Sequence, residues 1–340
     1  MTPSLVVARC GMCCAVGFSA RAARAAIRAG IDAFEESEFD DERGAPVVVA
    51  RLPLGNVWGP RRLAIMFEAA LTECVGAERT LDPAETALLL LIAEHGRPGY
   101  TESWVAACFN ACRAVSKTPF HPESRAQPLG RAGLAIALAE AHALLSTRRV
   151  RRVIVAGVDT YLNAYTMNHY IREGRLLSRG TSDGFIPGEG AGVLLVELAT
   201  PGRRGLHVIG TGTAEVPEDQ IDDLPARATA LTRAVRTALS ASGCKMEDLD
   251  FRMTDLSGES ARFREAAIAD TRLLDHRSRP FPIMHLTDSI GETGAAVGPL
   301  SLAYLADAMG RGHVPGPVGL AHFANDSGAR AAVILKYVFS

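Results

Sequence analysis

The sequence predicts an α/β fold with buried β-sheets, and three observations carry that expectation. Short apolar runs bounded by Gly, Asp or charged residues alternate along the chain with stretches of helical length. The alternation runs twice, once on each side of Pro201-Gly202, and each series ends in a strand. The composition suits a large core: of 340 residues, 48% are hydrophobic and 22% charged. A chain this long buries roughly 75% of its unfolded surface and needs no disulfide or metal staple. Disorder and coiled coil are excluded, because charge is too sparse, the 32 glycines too frequent, and no heptad is sustained. At about 150 residues per domain, two domains and one large unit are both open.

In the first series, Leu5 to Ala8, Ala87 to Ile92, Val150 to Ala156 and Val193 to Leu198 are expected to be strands. Ala20 to Ile31, Arg61 to Cys74 and Ala132 to Leu145 are expected to be helices, the last Ala-rich enough to pack closely on a sheet or another helix. The second series places strands at Leu206 to Gly210, Phe251 to Met253, Pro282 to His285 and Ala331 to Tyr337. Its helices are Arg227 to Ser240, Ser260 to Leu274 and Gly298 to Met309. The chain is therefore divided into residues 1–200 and 201–340, two halves of one unit. No sequence repeat proves a duplication.

The formal net charge of −2, with signs interspersed, argues against a nucleic-acid partner. The apolar run Ala87 to Ala93 is far shorter than the ~18 residues of a membrane span. The start, MTPSLVVARCGMCCAVG, has no basic stretch ahead of an apolar one, so a cytoplasmic location is expected. The seven cysteines then read as reduced thiols. Cys10-x-x-Cys13 and Cys108-x-x-x-Cys112 are half metal sites without a second half, which favours buried structural thiols and no metal.

The most specific segment is Gly157-Val-Asp-Thr-Tyr161, then Gly174-Arg-Leu-Leu-Ser178, then Asp183-Gly184-Phe185-Ile-Pro-Gly188-Glu189-Gly190-Ala-Gly192 running into Val193-Leu-Leu-Val-Glu197. Gly188, Gly190 and Gly192 permit a tight turn and close approach of neighbouring elements before the strand enters the core. With these residues in this order, the chain resembles the β-ketoacyl synthases of the thiolase superfamily. Gly11-Met12 with Ala15-Val16-Gly17, the helix from Ala132, the loop Asp288-Ser-Ile-Gly291-Glu292-Thr-Gly294-Ala-Ala-Val-Gly298 and the strand Gly328 to Leu335 extend the likeness over nearly the whole chain. The resemblance implies a thiolase-type five-layered α-β-α-β-α sandwich of two pseudo-symmetric halves, dimeric, with loops shorter than usual.

That family attacks an acyl thioester with an elbow cysteine and assists decarboxylation with two histidines. Carried over by position, the elbow falls in Gly130-Arg-Ala-Gly133, with Ala132 in the nucleophile's place and Cys112 about twenty residues too early. The first histidine falls at Asp255, the second at Glu292, and the preceding lysine at Thr287. The glycine-rich gating motif is altered to Phe323-Ala-Asn-Asp-Ser-Gly328. Alanine forms no acyl-enzyme, and an ionised carboxylate donates no hydrogen bond to an oxyanion. No residue is thus confirmed as catalytic, and no cofactor is called for.

The leading expectation is a pseudoenzyme resembling chain-length-factor subunits, with an active ketosynthase and an acyl carrier protein as the partners the resemblance implies, although the glutamine common at that subfamily's elbow is absent. A second is a homodimeric structural, regulatory or ligand-binding protein that reuses the fold. A third is an enzyme in which Asp255 and Glu292 face each other as acid and base, against which stands their being solvated or pinned by a neighbouring arginine or by backbone amides. His285 is expected to end a strand with its imidazole hydrogen-bonded. Arg148 to Arg152 could meet an acidic carrier protein or complement a helix terminus. Tyr161, Tyr165 and Tyr170 are assigned to core or interface packing.

Overall fold

The computed structural model describes residues 4–76, 81–116, 119–217, 228–274 and 280–339. Along the first part run β1 (Leu5–Cys14), α1 (Ala20–Arg28), β2 (Phe34–Asp40), β3 (Pro46–Ala50), α2 (Gly59–Val75), β4 (Thr86–Leu91), α3 (Glu102–Val115), β5 (Arg125–Gln127), α4 (Gly133–Ser146), β6 (Arg152–Thr160), α5 (Ala164–Arg172) and β7 (Glu189–Leu198). There follow β8 (Gly205–Glu215), α6 (Thr229–Ser242), β9 (Phe251–Thr254), α7 (Ser260–Leu273), β10 (Ile283–His285), α8 (Thr287–Ile290), α9 (Val297–Ala308), β11 (Val318–Ala324) and β12 (Ala329–Val338).

Ten strands hydrogen-bond in the order β10-β9-β11-β12-β8-β1-β7-β6-β4-β5, while β2 and β3 form a separate hairpin. Setting the hairpin aside, each run of five has one order: third, second, fourth, fifth, first strand in sequence. The senses match too. β5, β4 and β6 are mutually parallel, and β7 lies antiparallel to both β6 and β1. Likewise β10, β9 and β11 are parallel, and β12 lies antiparallel to both β11 and β8. Among the described residues the two runs pair only where Leu5 and Val6 meet Val208 and His207.

Helices α4 and α9 touch strands of both runs, α2 covers β1, β6 and β7, and α6 covers β8 and β12. The result is the expected five-layered thiolase-type α-β-α-β-α sandwich. The central helices are apolar nearly all round because sheets lie on both sides of them. Gly298 allows the close approach, since a side chain there would press on Leu134.

Several elements depart from the sequence expectation. Strand β1 continues to Cys14 and β7 begins at Glu189, because Gly190 to Gly192 pair with Met12 to Cys14 despite their weak strand propensity. The β2–β3 hairpin was not predicted: its Phe-Glu-Glu-Ser-Glu-Phe-Asp arm is mostly solvent-exposed and lacks an apolar run. Helices α3 and α5 and strands β5 and β11 were not predicted either, β5 having only three residues. The predicted start of α6 at Arg227 lies outside the described residues. Among the described residues no helix is long and apolar enough to cross a membrane.

Candidate functional site

The C-terminal ends of β4, β6, β9 and β11 point to one end of the sandwich, where the loop before α4 and the loop before α9 also arrive. The turn at the head of α4 is fixed by its backbone. Gly130 has a left-handed φ of 58° and donates its amide to Ile92 O at 3.0 Å. Asn325 clamps the turn, donating from Nδ2 to Leu129 O (2.8 Å) and accepting the Ala132 amide on Oδ1 (2.9 Å). The Ala132 N–H, which heads the helix, is therefore already satisfied by a protein group.

This turn directs Arg131 inward. Its Nη1 donates to Glu292 Oε2 at 2.9 Å and its Nη2 to Asp326 Oδ1 at 2.8 Å, while Nε lies 3.8 Å from Asp255 Oδ2. Backbone amides hold the carboxylates from behind: Ala324 N donates to Asp255 Oδ2 and Gly294 N to Glu292 Oε1, each at 2.8 Å. Asp255 and Glu292 come together on one guanidinium, that of the residue next to Ala132, and Asp255 also acts on Glu292 through its charge. Beside them, Arg131, Asp255, Arg262, Glu265 and His322 border a small cavity with room for about one water.

Burial raises Glu292 to about 7 against the pull of Arg131, and raises Asp255 against the same guanidinium. Asp326 is the opposite case. Burial alone would raise it, but Arg131, Arg262 and Arg175 together hold it well below the usual carboxylate range. It also accepts the Tyr170 hydroxyl at 2.8 Å. Burial drops His322 to about 3, with Arg252 and Arg330 acting in the same direction, so its imidazole is neutral.

Two further buried ion networks brace this end. Asp159 accepts Arg97 Nη1 (2.7 Å), the Ala295 amide (2.9 Å) and the Tyr100 hydroxyl (2.9 Å), and Arg97 also grips Glu94. Arg97 lies 4.4 Å from the centre of the Tyr161 ring. Arg62 of α2 binds both oxygens of Glu189, which also accepts the Leu52 amide (2.8 Å) and the Thr160 hydroxyl (3.0 Å). Arg131, Asn325, Asp326, Arg97, Asp159 and Arg62 carry no role that follows from the sequence alone. The signals were present: an arginine between two glycines at the elbow, and an Asn-Asp pair replacing the gate.

The remaining motif residues fall in structural positions. Asp183 is exposed and accepts the Ser260 amide (2.6 Å) and hydroxyl (2.8 Å) at the start of α7. Gly184 lies against the Arg175 carbonyl, and Phe185 packs edge-on against Tyr161 and Tyr170 at 5.5 and 5.1 Å. Gly188 donates to Glu292 O at 2.8 Å. Gly190 and Gly192 bring β7 against Cys13 and Leu300, and Gly291 and Gly294 have left-handed φ values of 66° and 55°. Thr287 donates to Leu256 O, and His285 Nδ1 lies 3.3 Å from both Thr287 Oγ1 and Asp288 Oδ1 at the end of β10. Tyr161 and Tyr170 are buried, but Tyr165 is 74% exposed and belongs to no core. Arg149, Arg151 and Arg152 pair with Glu123, Glu85 and Glu197 at 2.8, 3.0 and 3.2 Å.

Cys13, Cys14, Cys74, Cys108 and Cys112 are buried, and burial pushes the Cys14 and Cys108 thiols up to about 12. Cys10, partly exposed, meets Arg24 Nη2 at 2.8 Å, yet burial still raises it. None of these thiols is poised as a thiolate. Among the described residues no three His, Cys, Asp or Glu side chains are grouped to hold a metal.

No protein-family model matches the chain. It is 28% identical over 141 residues to the actinorhodin polyketide beta-ketoacyl synthase 1 of Streptomyces coelicolor, covering 40% of this chain and 30% of that protein. It is 29% identical over 178 residues to the pikromycin polyketide synthase component PikAIII of Streptomyces venezuelae, covering 48% of this chain and 11% of that one. The matched segment thus spans less than a third of either relative. Among solved structures, a type II polyketide ketosynthase in complex with its acyl-carrier protein superposes with a TM-score of 0.79 at 15% identity, covering 99% of this chain and 100% of that one. The ishigamide ketosynthase/chain length factor gives 0.68 at 20% identity, with 99% and 100% covered. The ketosynthase ApeO with its chain length factor ApeC from Xenorhabdus doucetiae gives 0.71 at 13%, with 99% and 98% covered. The chain has the thiolase-like fold of the ketosynthases.

Proposed function

We propose that this chain is a non-condensing, chain-length-factor-like subunit that works in the cytoplasm beside an active ketosynthase in polyketide or fatty-acid-type acyl assembly. The observation that carries the proposal is Arg131, whose guanidinium occupies the space among Ala132, Asp255 and Glu292. A thioester needs there a nucleophile, an oxyanion donor and room for an acyl chain. Ala132 supplies no nucleophile, Asn325 takes the Ala132 amide, and among the described residues the cavity beside Arg131 has room for about one water. The same cluster disfavours acid–base chemistry by the two carboxylates: Glu292 gives one oxygen to Arg131 and the other to the Gly294 amide, and Asp255 gives Oδ2 to the Ala324 amide with the guanidinium 3.8 Å away.

Two of the superposed structures are complexes of a ketosynthase with a chain length factor, and another holds a carrier protein, which supports a heterodimer here. The edge of β5, which among the described residues pairs only with β4, is the place we assign to the partner's sheet. Residues 1–200 and 201–340 serve as one unit, the first carrying that edge. Co-expression with the ketosynthase encoded nearest its gene, followed by light scattering on the purified complex, tests the reading. A stable one-to-one heterodimer is expected. A homodimer that excludes the ketosynthase contradicts it and favours a self-contained structural protein.

A further inference from the structure

The two halves of the sandwich share one strand order, but they are not covered alike. By place in each run β8 corresponds to β1, and α9 to α4, each helix lying between the third and fourth strands of its half. Helix α1 rests on β1 and α9. It buries Ala20 and Ala23, its Arg24 Nε donates to Ala303 O of α9 at 3.1 Å, and its Arg28 lies 3.5 Å from Asp307. Under that cover no residue of α9 is exposed.

The matching place on α4 and β8 is different. Helix α4 is as apolar as α9, yet Ile136, Ala139 and Ala143 form an exposed stripe along it, with Ile136 39% exposed. A helix apolar all round belongs in a core, and this one lacks its last wall. Strand β8 pairs with β12 along its length but with β1 only at His207 and Val208, so from Thr211 onward its second edge meets no strand among the described residues. Ile136, Ala139, Thr211, Thr213 and Thr237 line a groove of about 420 Å³ between α4, β8 and α6. Residues 15–58 join β1 to α2 and include α1, whereas residues 216–228 join β8 to α6. Among the described residues no helix lies on α4 and β8 as α1 lies on α9 and β1.

We propose that this groove seats a helix supplied by the partner ketosynthase, laid on α4 and β8 as α1 is laid on α9 and β1. The proposal rests on the heterodimer reading above and adds a contact to the second run of strands, which pairing along β5 alone does not make. The groove is continuous with that edge, because its wall residue Glu140 accepts Gln127 Nε2 and pairs with Arg125, both of β5. The stripe from Ile136 to Ala143 is about 10 Å long, so a helix the length of the nine-residue α1 covers it. Glu140 is the one charged residue in the lining, so burial there favours a helix that presents small apolar residues, as α1 presents Ala20 and Ala23.

The test uses the chain alone and its complex with the ketosynthase encoded nearest its gene. Ala139→Cys sets a thiol in the groove, and Ala267→Cys sets one on the exposed side of α7 as a control. In the chain alone both should react readily with N-ethylmaleimide, read by peptide mass spectrometry. In the complex residue 139 should react about tenfold more slowly or less, with residue 267 unchanged. A benzophenone maleimide on residue 139 should cross-link to a helix of the ketosynthase. Ala139→Arg should weaken the complex about tenfold or more, with circular dichroism showing that it folds. If the wild-type chain forms no complex, the heterodimer reading falls and this seat with it. If the complex forms but residue 139 stays as reactive as in the chain alone, or Ala139→Arg pairs as tightly as wild type, the seat alone falls. Slow reaction of residue 139 in the chain alone, or a cross-link within this chain, would also overturn it.

Discussion

At the scale of single residues, the proposed reading rests on Arg131. Removing one member of a buried ion cluster leaves the others charged and unpaired, which costs about 3–5 kcal/mol. Arg131→Met should therefore destabilise the fold by about that amount in urea unfolding. Adding Asp255→Asn and Glu292→Gln should recover part of the loss, because the orphaned charges go with the arginine. Asp326 gives a pH signature. Its folded pKa is depressed, so its contribution is fully present above the unfolded carboxylate value near 4 and is lost as pH falls through the folded value. Asp326→Asn should lower stability at pH 7 and flatten the acid limb of the stability profile below about pH 4. An unchanged acid limb would show that its three arginines are not coupled to it.

At the scale of elements, the loops matter more than the strands. The loop from Gly291 to Ala296 supplies Glu292, the Gly294 amide and the Ala295 amide, linking the Arg131 and Asp159 networks. Gly294 has a left-handed φ of 55°, and a side chain there would collide with Asp159. Gly294→Ala should loosen both networks at once. Faster amide exchange is expected at residues 294–296 and at the head of α4, with β8 and α6 unchanged. Strands in apolar runs such as Ala87 to Ile92 were legible because burial on both faces leaves a continuous signal. The β2–β3 hairpin was not, since its register rests on packing against Tyr161 and Phe185 rather than on its own pattern. For the same reason Asp255 and Glu292 could be placed together from motif order, whereas the side chain between them could not. That the elbow turn aims Arg131 inward depends on Gly130 and Asn325, which are 195 residues apart.

At the scale of the whole molecule, the two runs of five strands share one order and one set of senses, and α4 and α9 pack between them. That architecture places the loops of the candidate site at one end and the C-termini of α4 and α9 at the other. In the proposed reading the fold is kept for its partnering edge and its rigidity, while arginines and carboxylates fill the end where acyl transfer would need space and a nucleophile. Seven cysteines remain, and burial raises the thiols of Cys10, Cys13, Cys14, Cys74, Cys108 and Cys112. The most direct measurement is intact-mass spectrometry of both chains after the reconstituted ketosynthase complex is incubated with an acyl thioester. The account predicts an acyl adduct on the ketosynthase and none on this chain. An adduct on any cysteine of this chain would contradict it.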